Sequence, residues 1–208
     1  ILVNGRNCEA VFHFAEKDRT LIAVPLFHVT GLTSQLIAMG YVGASCVLMA
    51  SYKTEEVMRL IEKFRVTYLI AAPTIFVLML MHERCGDYDM DCLRVASYGG
   101  GPIAPETIRG IKARFPRAEA IQLYGLTETS GMVTCLPDGM ALAKPTSVGR
   151  PAPQCELCVV DDHDNPLPPG EVGELCVRSP NVVSGYWNKR EETTEAMRGG
   201  WFHTGDTV

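Results

Sequence analysis

Apolar and polar positions alternate along the first 130 residues in a way that predicts strands separated by helices. Short apolar runs without helical periodicity predict buried strands at residues 21–24, 44–50, 66–71, 93–97 and 120–123. Helical spacing of apolar residues predicts helices at 30–40, 54–64, 74–82 and 105–115. Such alternation is typical of an α/β fold in which helices cover both faces of a mostly parallel sheet.

The segment 54–64 has the clearest helical pattern. One face carries apolar residues and the opposite face carries charged ones. Thr54 is predicted to cap this helix, and Thr30 is predicted to cap the helix at 30–40. Pro73 is expected in the first turn of the helix that follows it, where proline is tolerated.

The pattern changes near residue 137. Helical periodicity disappears, and strands are predicted at 156–160 and 173–177 with turn-forming residues between them. A short polar helix is predicted at 189–197. We therefore expect two parts: an α/β subdomain over residues 1–136 and a small antiparallel β subdomain over residues 137–208.

Composition excludes some classes of function. The chain has 208 residues, 47% of them hydrophobic and 21% charged, which is ordinary for a globular protein. Its net charge is -5 and its basic residues are scattered, which argues against a nucleic-acid-binding surface. The longest apolar run, 68–81, is interrupted by Pro73 and is too short for a transmembrane helix. No signal-peptide pattern is present, and a cytoplasmic location is predicted.

Eight cysteines are spread along the chain, and most lie in apolar runs where cysteine behaves as a small hydrophobic residue. Cys155 and Cys158 have the spacing of a redox or zinc pair, but no second pair accompanies them. They lie in a predicted strand, where residues three apart point to opposite faces. Reduced thiols in a cytoplasmic protein are the simpler interpretation.

Three motifs follow predicted parallel strands: residues 25–29, 99–102 and 124–128. Ligands of open parallel sheets bind outside the carboxyl ends of the strands, so these motifs are candidates for one site. Taken singly, each has a structural alternative: a tight turn for the glycines, core packing for His28, and a turn with a helix cap for 124–128. The spacing G-x-G-x-x-G is absent, which argues against a nicotinamide-dependent oxidoreductase.

Five motifs in order resemble the adenylate-forming superfamily, which holds acyl-CoA synthetases, firefly-type luciferases and the adenylation domains of peptide synthetases. They are Pro-Leu-Phe-His-Val at 25–29, Gly-Gly-Gly-Pro at 99–102, Tyr-Gly-Leu-Thr-Glu at 124–128, Gly-Glu-Leu at 173–175 with Gly-Tyr-Trp-Asn at 185–188, and Gly-Trp-Phe-His-Thr-Gly-Asp at 200–206. The last two forms are most similar to the acyl- and aryl-CoA synthetase branch.

The resemblance implies an activity and its cofactors. Such enzymes activate a small carboxylic acid with ATP and Mg²⁺, release pyrophosphate, and transfer the acyl group to the thiol of coenzyme A. Fatty acid metabolism is one setting that the resemblance suggests. Whether the acid is a fatty acid, an aryl acid or another acid stays open, as does the choice between coenzyme A and a carrier-protein thiol.

The resemblance also implies roles for particular residues. Tyr124 would stack on adenine, Thr127 would bind the α-phosphate, Glu128 would bind Mg²⁺ and Asp206 would accept hydrogen bonds from the ribose hydroxyls. Thr127, Glu128 and His28 are the expected catalytic residues. The backbone of Gly99, Gly100 and Gly101 would flank the adenine and the acyl group, and Gly125 is a further expected nucleotide-binding residue. The residues that would border the acyl substrate are His28, Val29, Ser130 and Gly131.

Two parts of the family pattern are expected outside these residues: the triphosphate-binding loop ending in Pro-Lys-Gly and a C-terminal domain with a catalytic lysine. The sequence is therefore interpreted as a central fragment that is catalytically incompetent alone and pairs with the C-terminal domain of its own full-length chain. Two alternatives remain, a non-catalytic module that binds an acyl group or nucleotide and, less favoured, a purely structural protein.

Overall fold

The computed structural model describes residues 1–208, and its largest element is a seven-stranded sheet. The strand order is β2-β1-β3-β4-β5-β6-β7, with β1 to β5 parallel and β6 and β7 antiparallel to their neighbours. The strands are β1 Arg19–Ile22, β2 Ser45–Leu48, β3 Tyr68–Ala71, β4 Val95–Gly99, β5 Glu119–Leu126, β6 Gly131–Leu136 and β7 Arg150–Pro151.

Helices cover both faces of this sheet, as the alternation of patterns predicts. The helices are α1 Leu2–Phe12, α2 Val29–Gly31, a π-helix Leu32–Ile37, α3 Ala38–Tyr41, α4 Thr54–Phe64, α5 Pro73–Met81, α6 Pro105–Arg114, α7 Asp138–Ala141 and α8 Arg190–Ala196. Short 3₁₀-helices span Cys85–Asp87 and Arg198–Gly200. One buried apolar cluster lies under α4, α5 and α6, and a second lies under α1 and α3.

A separate three-stranded antiparallel sheet has the order β10-β9-β8, formed by β8 Glu156–Val160, β9 Glu174–Arg178 and β10 Phe202–Thr207. The predicted small antiparallel part is therefore confirmed. Strand β7 lies beyond residue 137 yet pairs with β6 in the large sheet. The boundary between two subdomains at residue 136 stays a prediction.

Two predicted helix caps are wrong. Thr54 is the first residue of α4, and its hydroxyl contacts that of Tyr52 rather than a backbone N–H. The cap at the next site is His28, whose Nδ1 accepts a hydrogen bond from the N–H of Thr30, because His28 is the last residue with extended backbone before α2. Pro73 does begin α5, as expected.

The fifth strand is longer than predicted. The motif at 124–128 is expected after the strand, but β5 continues through Leu126 and only the last two residues of the motif lie in a turn. The reason is long-range pairing, because β6 returns antiparallel and pairs with Tyr124, Gly125 and Leu126. The turn leads into a strand, so the alternative of a turn followed by a helix cap is also wrong.

Asp18 ties three strands together at their amino ends. Its carboxylate accepts hydrogen bonds from the Thr67 hydroxyl and the Arg94 guanidinium, each at 2.8 Å, and the side chain is only 2% exposed. Burial by itself would raise the pKa of Asp18, but the hydrogen bonds from Arg94, Thr67 and Ala15 outweigh it and hold the pKa below its usual value. This network lies at the edge of the sheet opposite the candidate motifs.

All eight cysteines are free thiols. Cys155 contacts the side chains of Asn7 and Ser179, whereas the Sγ of Cys158 contacts the carbonyl oxygen of Val159. The two thiols of the pair thus have different partners. No helix is both long enough and apolar enough to cross a membrane.

Candidate functional site

Two cavities of about 530 Å³ each adjoin at the carboxyl edge of the parallel strands. They share the residues Gly100, Leu123, Tyr124, Gly125 and Leu126, which form a common wall between them. The first cavity lies on the side of β1 and α2, and the second lies on the side of β10. The end of β5 is therefore exposed to a ligand on either side.

Gly125 allows the wall to form. A Cβ atom at this position would overlap the backbone carbonyl oxygen of Gly131 on β6. The register of β5 against β6 also shifts between Tyr124 and Gly125, which indicates an irregularity of the bulge type. The glycine therefore serves close backbone packing as well as access for a ligand.

The first cavity has 19 lining residues, of which nine are hydrophobic, with polar groups both around α2 and at the β5–β6 turn. Of the predicted site residues, the following line it: His28, Val29, Gly99, Gly100, Tyr124, Gly125, Thr127, Glu128 and Gly131. Ser130 does not line it. Ser130 is buried with a φ of 53°, and its carbonyl oxygen accepts a hydrogen bond of 2.7 Å from the Thr33 hydroxyl.

The second cavity brings Asp206 to the other side of Tyr124. The Tyr124 hydroxyl donates to Oδ2 of Asp206 at 2.6 Å, across 82 positions of sequence. Burial of the Tyr124 ring raises the pKa of its phenol well above the usual value, and the bond to Asp206 adds to this effect. Tyr124 therefore stays protonated as a donor, and the aromatic ring and an acceptor carboxylate border one space.

The turn after β5 presents Thr127 and Glu128 at the mouth of the first cavity. Thr129 holds this turn, because its hydroxyl lies 2.9 Å from the Leu126 nitrogen and 2.8 Å from the Gly131 oxygen. Thr127 is exposed and Glu128 is half-buried. A hydroxyl and a carboxylate thus stand beside each other at the opening.

Two contacts from a distant loop fix Glu128. Its Oε1 accepts a hydrogen bond from the Tyr186 hydroxyl at 2.8 Å, and its carbonyl oxygen accepts one from the Val183 N–H at 2.7 Å. The bond to Glu128, with a smaller effect of burial, raises the pKa of Tyr186. Oε2 of Glu128 has no protein partner, so it is the oxygen available to a ligand.

The donor set at this turn fits Mg²⁺. Mg²⁺ prefers oxygen ligands, keeps several waters and is usually bound through one or two carboxylates together with substrate phosphates. Glu128 supplies one carboxylate beside a cavity, and the Thr127 hydroxyl is its neighbour. No lysine or arginine lines either cavity.

The three glycines at the end of β4 differ in what surrounds them. A Cβ at Gly99 would lie 2.5 Å from the carbonyl oxygen of Leu123, so β4–β5 packing requires this glycine. Gly100 has a φ of 75° and open space around it, and Gly101 also has open space. Gly101 lines the second cavity only.

Sequence reasoning missed Tyr186. The Gly-Tyr-Trp-Asn motif that contains it contributed to the family resemblance, but no role was predicted for its tyrosine. Nothing in its spacing links it to Glu128, which lies 58 positions away. Only the folded chain brings the two side chains together.

The chain is similar to known proteins in sequence. The sequence profile of the AMP-binding enzyme family matches residues 1–187. The chain is 32% identical over 203 residues to the indoleacetate–CoA ligase of Aromatoleum aromaticum, covering 98% of this chain and 39% of that protein.

The fold of the chain also matches solved structures. The N-terminal domain of FACL13 from Mycobacterium tuberculosis superposes with a TM-score of 0.91 at 29% identity, covering 98% of this chain and 51% of that one. The o-succinylbenzoate–CoA synthetase MenE of Bacillus subtilis, solved with ATP and a magnesium ion, gives a TM-score of 0.89 at 29% identity, covering 99% of this chain and 42% of that one.

The chain spans about two fifths of the length of the curated relatives that it matches. Its relatives in sequence and in structure are predominantly CoA ligases. The chain belongs to the AMP-binding enzyme family, in its acyl-CoA ligase branch, and corresponds to part of the N-terminal domain of those enzymes.

Proposed function

We propose that residues 1–208 form the acyl- and nucleotide-binding part of an acid–thiol ligase that converts a carboxylic acid and ATP into an acyl adenylate and then into a CoA thioester. The observation that carries this proposal is the pair of adjoining cavities with β5 as their common wall. An acyl adenylate has an apolar part and a nucleotide part joined at one phosphate. The two cavities match that division.

In this proposal the first cavity takes the acyl group and the second takes the adenosine. Tyr124 presents its ring to the adenine, and Asp206 uses its free oxygen to accept a hydrogen bond from the ribose. Thr127 donates to the α-phosphate. His28, exposed at the rim beside Val29, borders the carboxylate of the acid.

Glu128 would hold Mg²⁺ through Oε2. The ion, when bound, supplies positive charge beside the phosphates, which lowers the cost of developing negative charge. The protein's own contribution is to aim the carboxylate, which the bonds from Tyr186 and Val183 achieve. Positioning and electrostatic stabilisation are the main contributions of a protein to such transfer reactions.

Carboxylate-dependent exchange of radiolabelled pyrophosphate into ATP tests the activity in the intact gene product. We expect exchange with at least one acid from a panel of aryl and medium-chain acids, and its loss on substitution Glu128→Gln. Exchange that does not require any acid, or that survives in Glu128→Gln, would contradict the assignment.

We further propose that the 208-residue chain binds an acyl adenylate but does not make one at the rate of the intact protein. The support is that no lysine or arginine lines either cavity, so neither lining supplies a permanent positive charge to the departing pyrophosphate. Exchange by the 208-residue chain at a rate near that of the intact protein would refute this.

The second candidate, a non-catalytic binding module, is favoured by the same lack of basic groups. Calorimetry with a non-hydrolysable acyl-adenylate analogue, run beside the exchange assay, separates the two. Binding by the intact gene product without any exchange would support the binding module. Binding together with exchange supports the ligase.

A further inference from the structure

Three side chains with metal-ligating atoms converge on one face of the small sheet. Cys176 on β9 is paired in register with His203 on β10, and Glu174 precedes Cys176 by two residues. Residues two apart on a strand project from the same face. The ligand atoms of the three side chains all lie within 4.8 Å of one another.

The separations are close to those around a tetrahedral metal ion. Sγ of Cys176 lies 3.3 Å from Nδ1 of His203, which lies 2.9 Å from Oε2 of Glu174. Zinc bonds of about 2.0–2.3 Å at tetrahedral angles place neighbouring ligand atoms about 3.5 Å apart. The two shorter separations therefore lie within about 0.6 Å of that value.

The three side chains of the cluster are largely shielded from solvent. Cys176 is fully buried, the His203 side chain is 5% exposed and that of Glu174 is 27% exposed. The Cys158 thiol contacts the carbonyl oxygen of Val159 instead, although Cys158 pairs with Cys176 across β8 and β9. The cluster thus offers three ligand atoms, and a water would complete the four-coordinate geometry that Zn²⁺ prefers.

Arg198 and Asp164 border the cluster. Arg198 lies 3.4 Å from Oε2 of Glu174, but its guanidinium also makes two hydrogen bonds to Asp164, at 2.8 and 2.9 Å. Asp164 itself lies 3.9 Å from Nδ1 of His203. The arginine charge is therefore compensated locally, and the remaining carboxylate and thiol favour a cation.

We propose that Glu174, Cys176 and His203 form a Zn²⁺-binding site, separate from the carboxylate of Glu128. The mixed sulfur, nitrogen and oxygen donors suit Zn²⁺ and not Mg²⁺ or Ca²⁺, which prefer oxygen alone. On binding, the metal replaces the thiol proton, which leaves to solvent, and the neutral imidazole carries its remaining proton on Nε2. The site does not depend on the proposed ligase function.

Metal titration of the purified 208-residue chain tests the site. We expect one equivalent of Zn²⁺ to bind. We also expect the Co²⁺ form to show a thiolate-to-cobalt charge-transfer band in the near ultraviolet and the intense visible bands of tetrahedral Co²⁺. Cys176→Ser should lose both features, whereas Cys155→Ser should keep them. The Cys155→Ser control removes the other candidate thiol pair, Cys155 and Cys158.

Glu174→Gln provides a second test that keeps the side-chain volume and an acceptor for the Gly205 N–H. Its Zn²⁺ affinity should fall about tenfold or more. If Cys176→Ser fails to fold by circular dichroism, Glu174→Gln decides. Unchanged affinity in Glu174→Gln, no uptake by the unaltered chain, or loss of the Co²⁺ bands in Cys155→Ser would overturn the proposal.

Discussion

The hydrogen bond from the Tyr186 hydroxyl to Glu128 fixes one oxygen of the carboxylate at the candidate site. The phenol occupies one carboxylate oxygen and leaves the other facing the cavity mouth. A carboxylate held at one oxygen loses rotational freedom, so its second oxygen is already aimed before a ligand arrives. Tyr186 is in this view a positioning residue for the proposed Mg²⁺ site.

Tyr186→Phe should weaken Mg²⁺-dependent ATP binding about tenfold, the effect of losing one hydrogen bond to a charged group. Calorimetry of ATP binding at a series of Mg²⁺ concentrations measures it. Tyr88→Phe is the matched control, because Tyr88 donates to Glu55 at the same 2.8 Å far from the cavities. Equal behaviour of the two variants would remove the role of Tyr186.

The same contact has a spectroscopic consequence. The hydrogen bond to Glu128 is the first cause of the raised pKa of Tyr186. Glu128→Gln should therefore lower the pKa of this phenol towards its ordinary value. Ultraviolet difference titration against a Tyr186→Phe background identifies the residue. A titration curve unchanged by Glu128→Gln would show that the bond does not form in solution.

Substitutions at Gly99 and Gly101 should affect different properties, folding stability at Gly99 and ligand binding at Gly101. Gly99→Ala should destabilise the chain by about 2 kcal/mol, because its Cβ meets the Leu123 carbonyl oxygen. Gly101→Ala should leave the urea midpoint unchanged, because nothing lies within 4 Å of the added methyl group. It should weaken binding of an adenylate analogue at least about fivefold, since the methyl group enters the second cavity.

At the scale of elements, the pattern of apolar positions predicts those helices and strands whose burial it reflects directly. Helix α4 has clear amphipathic periodicity, and its bounds match the prediction. The strands β1 and β3 are continuous buried runs, predicted from their apolar residues with ends that differ by two residues. Helix α1 was not predicted. Its sequence has little amphipathic character, and its buried residues include Asn4 and Asn7, which a pattern of apolar positions does not reveal.

The β5–β6 hairpin shows why part of the site was beyond prediction. The sequence identifies the motif at 124–128, but its continuation as a strand depends on pairing with β6 and on Gly125, which lets the two backbones approach. The partners of the site residues are also distant, as in Tyr124 with Asp206. The candidate residues were read from the sequence, whereas their contacts depend on the tertiary structure.

Asp18 gives a prediction at the scale of the sheet. Asp18→Asn should lower the free energy of unfolding by about 2 kcal/mol, because it weakens the hydrogen bonds of a buried carboxylate to Thr67 and to Arg94, whose side chain is 35% exposed. Urea denaturation measures this. Asp89→Asn is the control: its bond to Arg65 is exposed, and a much smaller change is expected.

The pH dependence has a definite sign. The pKa of Asp18 is lowered in the folded state, so its carboxylate stabilises the fold above the usual aspartate pKa of about 3.9. That contribution is lost as pH falls below about 4 and through the folded-state pKa. The difference between the unaltered chain and Asp18→Asn should therefore shrink in acid. A difference that grows in acid would contradict the network.

At the scale of the whole molecule, the wall formed by the end of β5 gives each cavity its own lining. Ala72 lines only the first cavity and Thr146 lines only the second. Ala72→Leu should weaken binding of the acid at least about fivefold and leave nucleotide affinity unchanged; Thr146→Leu should do the reverse. Calorimetry with each ligand alone measures both. A variant that weakens both ligands equally would show that the cavities are not independent.

The common wall between the two cavities also affects how a protein of this kind can diversify in evolution. Under the proposed assignment, residues that line only the first cavity can vary without contacting the second, so a lineage could acquire a new acid while its nucleotide chemistry stays intact. The same separation suits laboratory evolution: libraries restricted to positions such as Val24, Ala72 and Met132 sample acid preference alone. The end of β5 lines both cavities, so a substitution there changes the acid side and the nucleotide side together.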